Sequence, residues 1–322
     1  MSTVFVTGPT GCIGAATVRY LLDNGVDRVI GLSRRSDMTR IDERLHDRIT
    51  LIAGEVTDID LVKQVLREYQ PNQIIHLAAF QTPDCDASPL EGMQVNVGGT
   101  MAVLQAAAES PNKLQRLVFA SSAAVYGPRS MYDASGVDTS SAMSPPNLYG
   151  YWKVAGEAMT QAFQREIDIP TVSLRLATTY GPGRDQGLTA APTTALKAVA
   201  SGQPFRMPYE GREHYHFVDD VGAGFAQAAM EPFEGYGVFN LRGQTVEGTE
   251  FLQNVRDVAA ELGITPVDVD IDADVAQNLF VCDLDDKPTL QSFPRMPLTT
   301  LSDGIRRSLL FFTERQQSSQ NA

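Results

Sequence analysis

The chain of 322 residues is poor in cysteine and histidine, and it contains no long apolar run. Its three cysteines, Cys12, Cys85 and Cys282, are far apart, so we predict neither a disulfide framework nor a metal site. No apolar stretch approaches the roughly 18 residues that a membrane-spanning helix needs. The N-terminal residues also lack the basic and apolar segments of a signal peptide. We therefore expect a cytoplasmic protein with no membrane partner.

Positive charge is also scarce. The 26 Lys and Arg residues are outnumbered by 39 Asp and Glu residues, which gives a formal net charge of −13. Such an acidic chain gains nothing from displacing the counterions of DNA, so nucleic acid is excluded as a general partner. The remaining composition, 43% hydrophobic and 20% charged, is ordinary for a globular protein. The length allows one large domain or two modest ones.

Short apolar runs alternate with helical patterns over the first half of the chain. Continuous apolar strands separated by helices indicate a parallel sheet covered on both faces, which is the doubly wound α/β fold. We predict a larger domain over residues 1–177 with a return at about 215–241, and a smaller C-terminal domain over 178–214 and 242–322. The predicted strands of the large sheet lie at 4–6, 29–32, 49–52, 73–77, 117–119 and 171–174.

A glycine-rich segment, Thr7–Gly14, connects the first strand to the first helix. A helix that begins after such a turn offers free N–H groups and a positive dipole end to an anion. Gly8 permits the turn, Gly11 allows close approach of a pyrophosphate, and Gly14 allows the helix to pack on the sheet. The spacing G-x-x-G-x-x-G differs from the usual dinucleotide fingerprint, and a plain tight turn is the alternative. The other predicted nucleotide-binding residues of this segment are Thr10, Cys12 and Ile13.

Two arginines, Arg34 and Arg35, follow Ser33 at the end of the second strand. An NAD site normally has an acidic residue here to bind the ribose hydroxyls, but this chain has no carboxylate before Asp37. Guanidinium groups suit a 2′-phosphate. The sequence therefore predicts NADP as cofactor, with NAD possible, and a solvated loop is the alternative.

The candidate catalytic residues are Ser122, Tyr149 and Lys153. Tyr149 and Lys153 are four residues apart, so on a helix their side chains lie on one face. A nearby ammonium lowers the pKa of a phenol toward the range of a general base. Ser122 ends the fifth strand, where ligands bind in parallel sheets, although an ordinary strand-end serine is the alternative.

Together these motifs resemble the extended branch of the short-chain dehydrogenase/reductase superfamily, the family of NAD-dependent epimerases and dehydratases. The resemblance covers nearly the whole chain in order and implies a Rossmann domain followed by a substrate-binding domain. The further segments that match are Glu55–Asp58, His76–Ala79, Asn96–Thr100, Leu174–Arg175, Tyr180–Pro182 and Phe217–Asp220.

The resemblance also implies roles. Tyr149 exchanges a proton with the substrate. Lys153 lowers the pKa of Tyr149 and binds the nicotinamide ribose, and Ser122 orients the reacting oxygen. It implies a homodimer formed through a four-helix interface, because the helices beginning near Val95 and Tyr149 carry apolar residues beyond one face. The other residues expected at the cofactor are Glu55, Val56, Leu77, Ala78, Ala79, Asn96, Leu176 and Thr178.

Departures from the family pattern bear on the substrate. Ser122-Ala123-Ala124 replaces the Thr-Asp-Glu of dehydratases, so the acid and base for water elimination are missing. Glu213 falls where nucleotide-sugar enzymes carry an arginine, and a carboxylate there would repel a diphosphate. We therefore predict an NAD(P)-dependent oxidoreductase that transfers hydride between the nicotinamide and a small alcohol or carbonyl substrate, such as a sugar or sugar acid. The alternative is a nucleotide-sugar epimerase with a tightly bound cofactor.

Overall fold

The computed structural model describes residues 2–133, 135–275 and 281–320, with side chains described to residue 317. A seven-stranded sheet forms its centre, in the order β10-β6-β5-β4-β1-β2-β3, and every neighbouring pair is parallel. The strands of this sheet are β1 (Thr3–Thr7), β2 (Arg28–Ser33), β3 (Ile49–Ala53), β4 (Gln73–His76), β5 (Arg116–Ser122), β6 (Thr171–Leu176) and β10 (Tyr236–Asn240).

Helices cover both faces of this sheet, which confirms the doubly wound fold. Helices α1 (Cys12–Asp23) and α8 (Val218–Met230) pack with the strands in one apolar core. Helices α2 (Ile59–Tyr69), α5 (Gly99–Ala108) and α6 (Leu148–Ile167) form the core on the other face. Both faces of the strands are buried, which is why their sequences are continuous apolar runs rather than alternating ones.

The remaining helices lie outside these two layers or in the C-terminal part of the chain. Among the described residues, no helix has both the length and the apolar character to cross a membrane. The remaining helices are α3 (Thr82–Ala87), α4 (Pro89–Met93), α7 (Ala191–Ala200), α9 (Gly248–Glu261), α10 (Lys287–Ser292) and α11 (Leu301–Gln320).

A smaller lobe contains two further sheets. Strand β9 (Arg212–Phe217) lies between β7 (Thr178–Tyr180) and β11 (Gln244–Glu247), and β8 (Phe205–Met207) pairs with β12 (Val269–Ile271). This lobe has its own apolar core, in which the rings of Tyr215 and Phe251 stack with centroids 4.9 Å apart.

The return segment at 215–241 divides between the two lobes. Residues 215–217 belong to β9 in the small lobe, whereas α8 and β10 pack on the large sheet. The expectation that the whole segment returns to the large sheet was therefore wrong for 215–217. The hydropathy of a buried strand is the same in either sheet, so the sequence pattern could not separate them. The functional division into two domains stays a prediction.

The strand register sets the location of the site. Thr7 is opposite His76, and Ser122 is opposite Leu176, so the carboxyl ends of β1, β4, β5 and β6 meet at one edge. Ligands of open α/β sheets bind at this edge.

Candidate active site

The glycine turn has the geometry of a phosphate cradle. Gly8 has φ 72°, a left-handed conformation that favours glycine. A Cβ on Gly14 would lie 2.0 Å from the Gly8 carbonyl oxygen, so only glycine lets α1 pack this closely. Gly11 precedes α1 without a side-chain cap, and the first turn of the helix has no acidic residue. The first N–H groups of α1 are therefore free for an anion, and the turn fits a dinucleotide pyrophosphate.

Cys12 is the first residue of α1, yet burial raises the pKa of its thiol to about 11. The nearby charges of Arg184 and Arg40 act in the opposite direction and do not prevail. Cys12 is therefore a thiol at neutral pH and packs in the turn as a small apolar residue.

Thr10 and Ser33 connect the turn to the end of β2. Their hydroxyl oxygens are 2.9 Å apart, and the Arg35 N–H donates to the Ser33 Oγ over 3.4 Å. This end of the cradle is lined by hydroxyl groups rather than a carboxylate.

Arg34 lies against the ring of Phe80, with its guanidinium carbon 5.0 Å from the ring centroid. The first carboxylate after β2, that of Asp37, accepts the Thr39 N–H over 2.9 Å, and this hydrogen bond lowers the pKa of Asp37. Asp37 therefore binds its own loop, and the side chains that directly follow β2 are the two cations, as the sequence indicates.

The segment Glu55–Asp58, after β3, has one buried and three exposed residues. Val56 is buried, and a Cβ on Gly99 would lie 2.6 Å from its side chain, whereas Glu55 is exposed. Asp58 caps α2 by accepting the Leu61 N–H over 3.0 Å. Of the expected acidic pair, only Glu55 is therefore free to contact a ligand, because Asp58 has a local structural role.

A buried imidazole connects the turn to α5. The Thr100 hydroxyl donates to the Asn96 carbonyl over 2.7 Å, so it accepts from His76 Nε2 over 3.1 Å. His76 Nδ1 then accepts the Thr7 hydroxyl over 2.7 Å. Burial lowers the pKa of His76 to about 3, so the ring is neutral and its tautomer is fixed by these partners.

Asn96 lies in a single π-helical turn, Gln94–Gly98, immediately before α5. Its side chain accepts the Phe80 N–H over 2.7 Å and donates to the Phe80 carbonyl over 3.0 Å. The amide groups of Leu77 and Ala78 donate to the Thr7 hydroxyl over 3.1 Å each. Thr7 thus holds Leu77 and Ala78, and Asn96 holds Phe80, so the loop after β4 is fixed from two sides.

Tyr149 and Ser122 come together because α6 begins beside the end of β5. Asn147 caps α6 by accepting the Gly150 N–H over 3.0 Å. A Cβ on Gly150 would lie 2.3 Å from the Ala124 carbonyl oxygen, so the first turn of α6 approaches the end of β5 through this glycine. Tyr149, next to Gly150, is thereby close enough to the Ser122 side chain for that hydroxyl to act on the pKa of the phenol.

Lys153 is buried one turn along α6. Its ammonium donates to the Ala120 carbonyl over 2.7 Å and lies 5.1 Å and 5.6 Å from the ring centroids of Phe119 and Tyr149. Burial lowers the pKa of Lys153 to about 8, against the opposing charges of Cys85 and Glu157. The triad predicted from the sequence is thus assembled around the edge of the sheet.

The pKa of Tyr149 is raised, not lowered as the sequence suggested. Burial raises it, and the Ser122 hydrogen bond and the Arg184 charge oppose that effect. The pKa of Lys153 is about 8 and that of Tyr149 is higher, so Lys153 has lost its proton before the phenol titrates and supplies no charge that would lower the pKa of Tyr149. The phenol is therefore protonated at neutral pH.

Glu213 does not face a ligand as a free carboxylate. It is fully buried and accepts hydroxyl hydrogen bonds from Thr178 over 2.5 Å and from Tyr215 over 3.0 Å. Burial raises the pKa of Glu213, against these hydrogen bonds and another from Tyr209. The expected repulsion of a diphosphate was therefore wrong, because gap-free counting locates a residue in a strand but not the direction of its side chain. The Thr178 hydroxyl, expected at the cofactor, is also committed to Glu213.

The acidic pair that opens α8 has structural partners. Asp220 accepts hydrogen bonds from the Thr299 N–H over 2.6 Å and from its hydroxyl over 2.7 Å, while Asp219 pairs with Arg19 and Arg307. Over residues 2–133, 135–275 and 281–320, no cluster of three His, Cys, Asp or Glu side chains could hold a metal ion.

Sequence reasoning missed Arg184 as a site residue. Its Nη1 donates to Gln81 Oε1 over 2.6 Å and its Nη2 donates to Thr189 Oγ1 over 2.5 Å. The charge of Arg184 lowers the pKa of Tyr149, so the guanidinium lies near the phenol that the sequence predicts to be catalytic. The signal available in the sequence was a glycine-rich loop, Gly181–Gly187, following a strand end at the ligand-binding edge.

A family model described as "NAD dependent epimerase/dehydratase family" matches residues 4–241. The chain belongs to this family. This confirms the resemblance to extended short-chain dehydrogenases/reductases, and the protein is accordingly an enzyme of an NAD-dependent family.

Individual relatives are distant. The chain is 25% identical to a dTDP-glucose 4,6-dehydratase of Neisseria gonorrhoeae, over 99% of this chain and 98% of that protein. It is 29% identical to UDP-glucuronate 4-epimerase 4 of Arabidopsis thaliana, over 72% of this chain but only 54% of that protein. A solved structure of a UDP-N-acetylglucosamine 4-epimerase from Methanobrevibacter ruminantium has a TM-score of 0.83 at 20% identity, over 98% of this chain and 99% of that one. This last likeness bears on the fold alone.

Proposed function

We propose that this member of the epimerase/dehydratase family is an epimerase of a nucleotide-linked sugar that retains its NAD. The observation that carries this proposal is the site around Ser122, which has Tyr149 and Lys153 but alanines at positions 123 and 124. The triad supports oxidation and reduction at a carbinol carbon, whereas the missing acid and base exclude assisted loss of water. Relatives named as nucleotide-sugar 4-epimerases support the choice of substrate class.

The sequence favoured a small substrate because Glu213 was expected to repel the diphosphate of a nucleotide sugar. The position of Glu213 removes that objection and so supports a nucleotide-linked substrate. The carboxyl group of Glu213 is buried and accepts hydrogen bonds from the hydroxyls of Thr178 and Tyr215, so it does not meet a diphosphate as a free carboxylate.

The chain's own residues would work as follows. The Tyr149 phenol passes a proton to and from the reacting oxygen, which the Ser122 hydroxyl orients. The Lys153 ammonium, held by Ala120, supplies positive charge beneath the reacting groups. The glycine turn and the loop fixed by Asn96 bind the nucleotide and its nicotinamide half. When bound, the nicotinamide supplies reversible hydride transfer.

The test is incubation of the purified protein with UDP-glucose and, separately, with UDP-glucuronate, followed by chromatography of the nucleotide sugars. We expect interconversion at C4, no 4-keto-6-deoxy product and no net reduction of NAD. Nucleotide should remain bound through gel filtration. Stoichiometric formation of reduced cofactor, or a keto product, would contradict an epimerase.

A dehydrogenase of a small alcohol is the second candidate, and one observation favours it. The cation nearest in sequence to Glu213, Arg212, is committed to Asp283 at 2.8 Å and lies 3.5 Å from Glu247. It is therefore not free to bind a diphosphate. Net cofactor reduction with sugars or sugar acids that carry no nucleotide would support this candidate.

Cofactor selectivity is a further proposal. The family is NAD-dependent, and we propose that Arg34 and Arg35 additionally accept the 2′-phosphate of NADP, since no carboxylate occupies that end of the site. The double variant Arg34→Ser/Arg35→Ser should weaken NADP binding about 10-fold or more and leave NAD within about threefold, measured by calorimetry. Equal losses for both cofactors, or no NADP binding by the wild type, would contradict a 2′-phosphate site.

We also propose that the protein forms a homodimer through α4, α5 and α6. These helices expose large apolar side chains, among them Met93, Met101 and Tyr151, with 44%, 46% and 57% of their surface accessible. Such a patch is typical of an association surface. Light scattering at micromolar concentration should give the dimer mass, and a monomer mass would contradict the proposal.

A further inference from the structure

Arg184 is a cation in the active site without a matching anion. Its side chain is largely enclosed, and burial lowers its pKa. Among the described residues, no carboxylate lies within 4.0 Å of its guanidinium. The adjacent carboxylate, that of Asp185, is already shared by Arg40 and Lys197.

Two buried arginines with structural roles, Arg175 and Arg116, provide a comparison, because the chain supplies each with acceptors that compensate its positive charge. Arg175 forms a two-pronged pair with Glu157. Arg116 donates to three carbonyls, among them those of Ala228 and Glu231 at the end of α8, where the helix dipole is negative. Arg184 has neither arrangement, because its two partners are the neutral oxygens of Gln81 and Thr189.

The donors of Arg184 are also incompletely used. Its Nε is buried without a hydrogen-bond partner. Each Nη carries two N–H groups, and one bond from each is accounted for. A guanidinium with a free Nε and spare Nη donors matches the two oxygens of a carboxylate.

The position of Arg184 indicates which anion it serves. It bridges the loop after β4, through Gln81, and the loop after β7, through Thr189. Its charge acts on Cys12 in the glycine turn and on Tyr149, so the guanidinium lies between the cofactor turn and the phenol. The pyrophosphate of the cofactor already has the N–H groups of the glycine turn, and this leaves Arg184 for an anion on the Tyr149 side, next to the carbinol carbon.

We propose that Arg184 binds a carboxylate on the substrate carbon next to the reacting carbinol, so that the sugar is a uronic acid. The carboxylate supplies the anion that the fold omits, and a neutral sugar leaves the charge of Arg184 uncompensated. The nucleotide-linked form of the substrate rests on the proposed function, whereas the carboxylate rests on Arg184 itself.

The experiment compares the NAD-loaded wild type with Arg184→Met and Arg184→Lys on UDP-glucuronate and UDP-glucose. These probes differ in the carboxylate and share the diphosphate. Arg184→Met should lose about 100-fold in kcat/KM on UDP-glucuronate and less than about threefold on UDP-glucose. Arg184→Lys should recover part of the loss, because lysine restores the positive charge but lacks the paired N–H donors of the guanidinium. The exposed Arg206, paired with Asp268, provides the matched control Arg206→Met, which should change neither rate.

Other outcomes overturn the assignment. Equal losses on both nucleotide sugars would mean that Arg184 binds the shared diphosphate or positions Tyr149. A fall in NAD affinity, measured by calorimetry, would assign Arg184 to the cofactor pyrophosphate. Melting temperatures of all variants show whether folding is preserved, and Arg184→Lys provides the test if Arg184→Met does not fold.

The two proposals fail separately. If the wild type epimerises UDP-glucose and Arg184→Met is unaffected on every probe, the epimerase stands and the uronate assignment falls. If the wild type ignores nucleotide sugars but reduces NAD with free glucuronate, and Arg184→Met loses that reaction selectively, the uronate assignment stands and the epimerase falls. If Arg184→Met has no effect on any substrate that carries a carboxylate, the proposed role of Arg184 is overturned.

Discussion

Two buried cations, Lys153 in α6 and Arg175 in β6, lie beside β5, and the chain treats them differently. Arg175, 2% exposed, meets both oxygens of Glu157 at 2.8 and 2.7 Å. Although burial acts to lower the pKa of Arg175, the hydrogen bonds and charge of Glu157 raise it above its usual range. Lys153, 4% exposed, has only the Ala120 carbonyl, and burial lowers its pKa to about 8. Arg175, which is paired with a carboxylate, has a structural role. Lys153, which has no carboxylate partner, keeps its charge available for the reaction.

The largest expected effect is on the catalytic side of this comparison. Tyr149→Phe removes the proton donor and acceptor beside Lys153 and should reduce turnover about 1000-fold or more. NAD affinity should stay within about twofold, since the phenol is not part of the glycine cradle. Steady-state kinetics and calorimetry on the same preparation measure both, with Tyr69→Phe, at the end of α2, as the matched control. Retained activity would remove Tyr149 from the mechanism.

The next largest effect concerns the ion pair between Arg175 and Glu157. Glu157→Met leaves the Arg175 charge buried and unpaired, which should lower the free energy of unfolding by about 3–5 kcal/mol. Urea unfolding measures it. The exposed Glu109, paired with Lys63 at 2.9 Å, gives the control Glu109→Met, for which we expect about 0.5 kcal/mol or less.

The double variant Glu157→Met/Arg175→Met sharpens this result. Removal of both charges should recover much of the lost stability, because no uncompensated ion remains. A double variant as unstable as Glu157→Met alone would show that shape, rather than charge pairing, decides the stability at this position.

The smallest effect has the opposite sign. Lys153→Met should raise the free energy of unfolding by about 1–3 kcal/mol at pH 7 while activity is lost, because a buried ammonium costs more than a buried thioether. The pKa of Lys153 falls from 10.5 to about 8 on folding. Between these values the unfolded wild type binds more protons, so the wild type gains stability as pH rises.

The advantage of Lys153→Met should therefore be complete below about pH 8 and vanish by about pH 10.5. Unfolding in urea at a series of pH values follows this change, with the exposed Lys113→Met as the flat control. A destabilised Lys153→Met variant, or a difference independent of pH, would show that Lys153 is not a strained charge.

The sequence pattern predicted the large sheet and the triad because both depend on short-range periodicity. Continuous apolar runs locate the strands, and spacing of four residues puts Tyr149 and Lys153 on one face of α6. The partners of Glu213 and Arg184 depend on how the small lobe folds back, with contacts as distant in sequence as Gln81. Spacing carries no information on such contacts, so the side-chain direction of Glu213 and the lack of a carboxylate partner for Arg184 emerged only in three dimensions.

The π-helical turn before α5 had no recognisable pattern either. An extra residue in that turn changes the phase of the helix, and Asn96 consequently reaches Phe80. Hydrophobic periodicity predicts a continuous helix from Val95, whereas the structure has the π-helical turn up to Gly98 and begins α5 at Gly99.

Tyr149, Lys153 and Glu157 follow one another at intervals of four residues along α6, and the last of them holds Arg175 in β6. The helix α6 thus carries the reactive Tyr149 at the edge of the sheet and the buried ion pair of Glu157 with Arg175 in the core. A change that tilts or shifts α6 moves both ends at once. Adaptation of this enzyme to new substrates therefore has little freedom along α6, and is expected to proceed through the loops that face it.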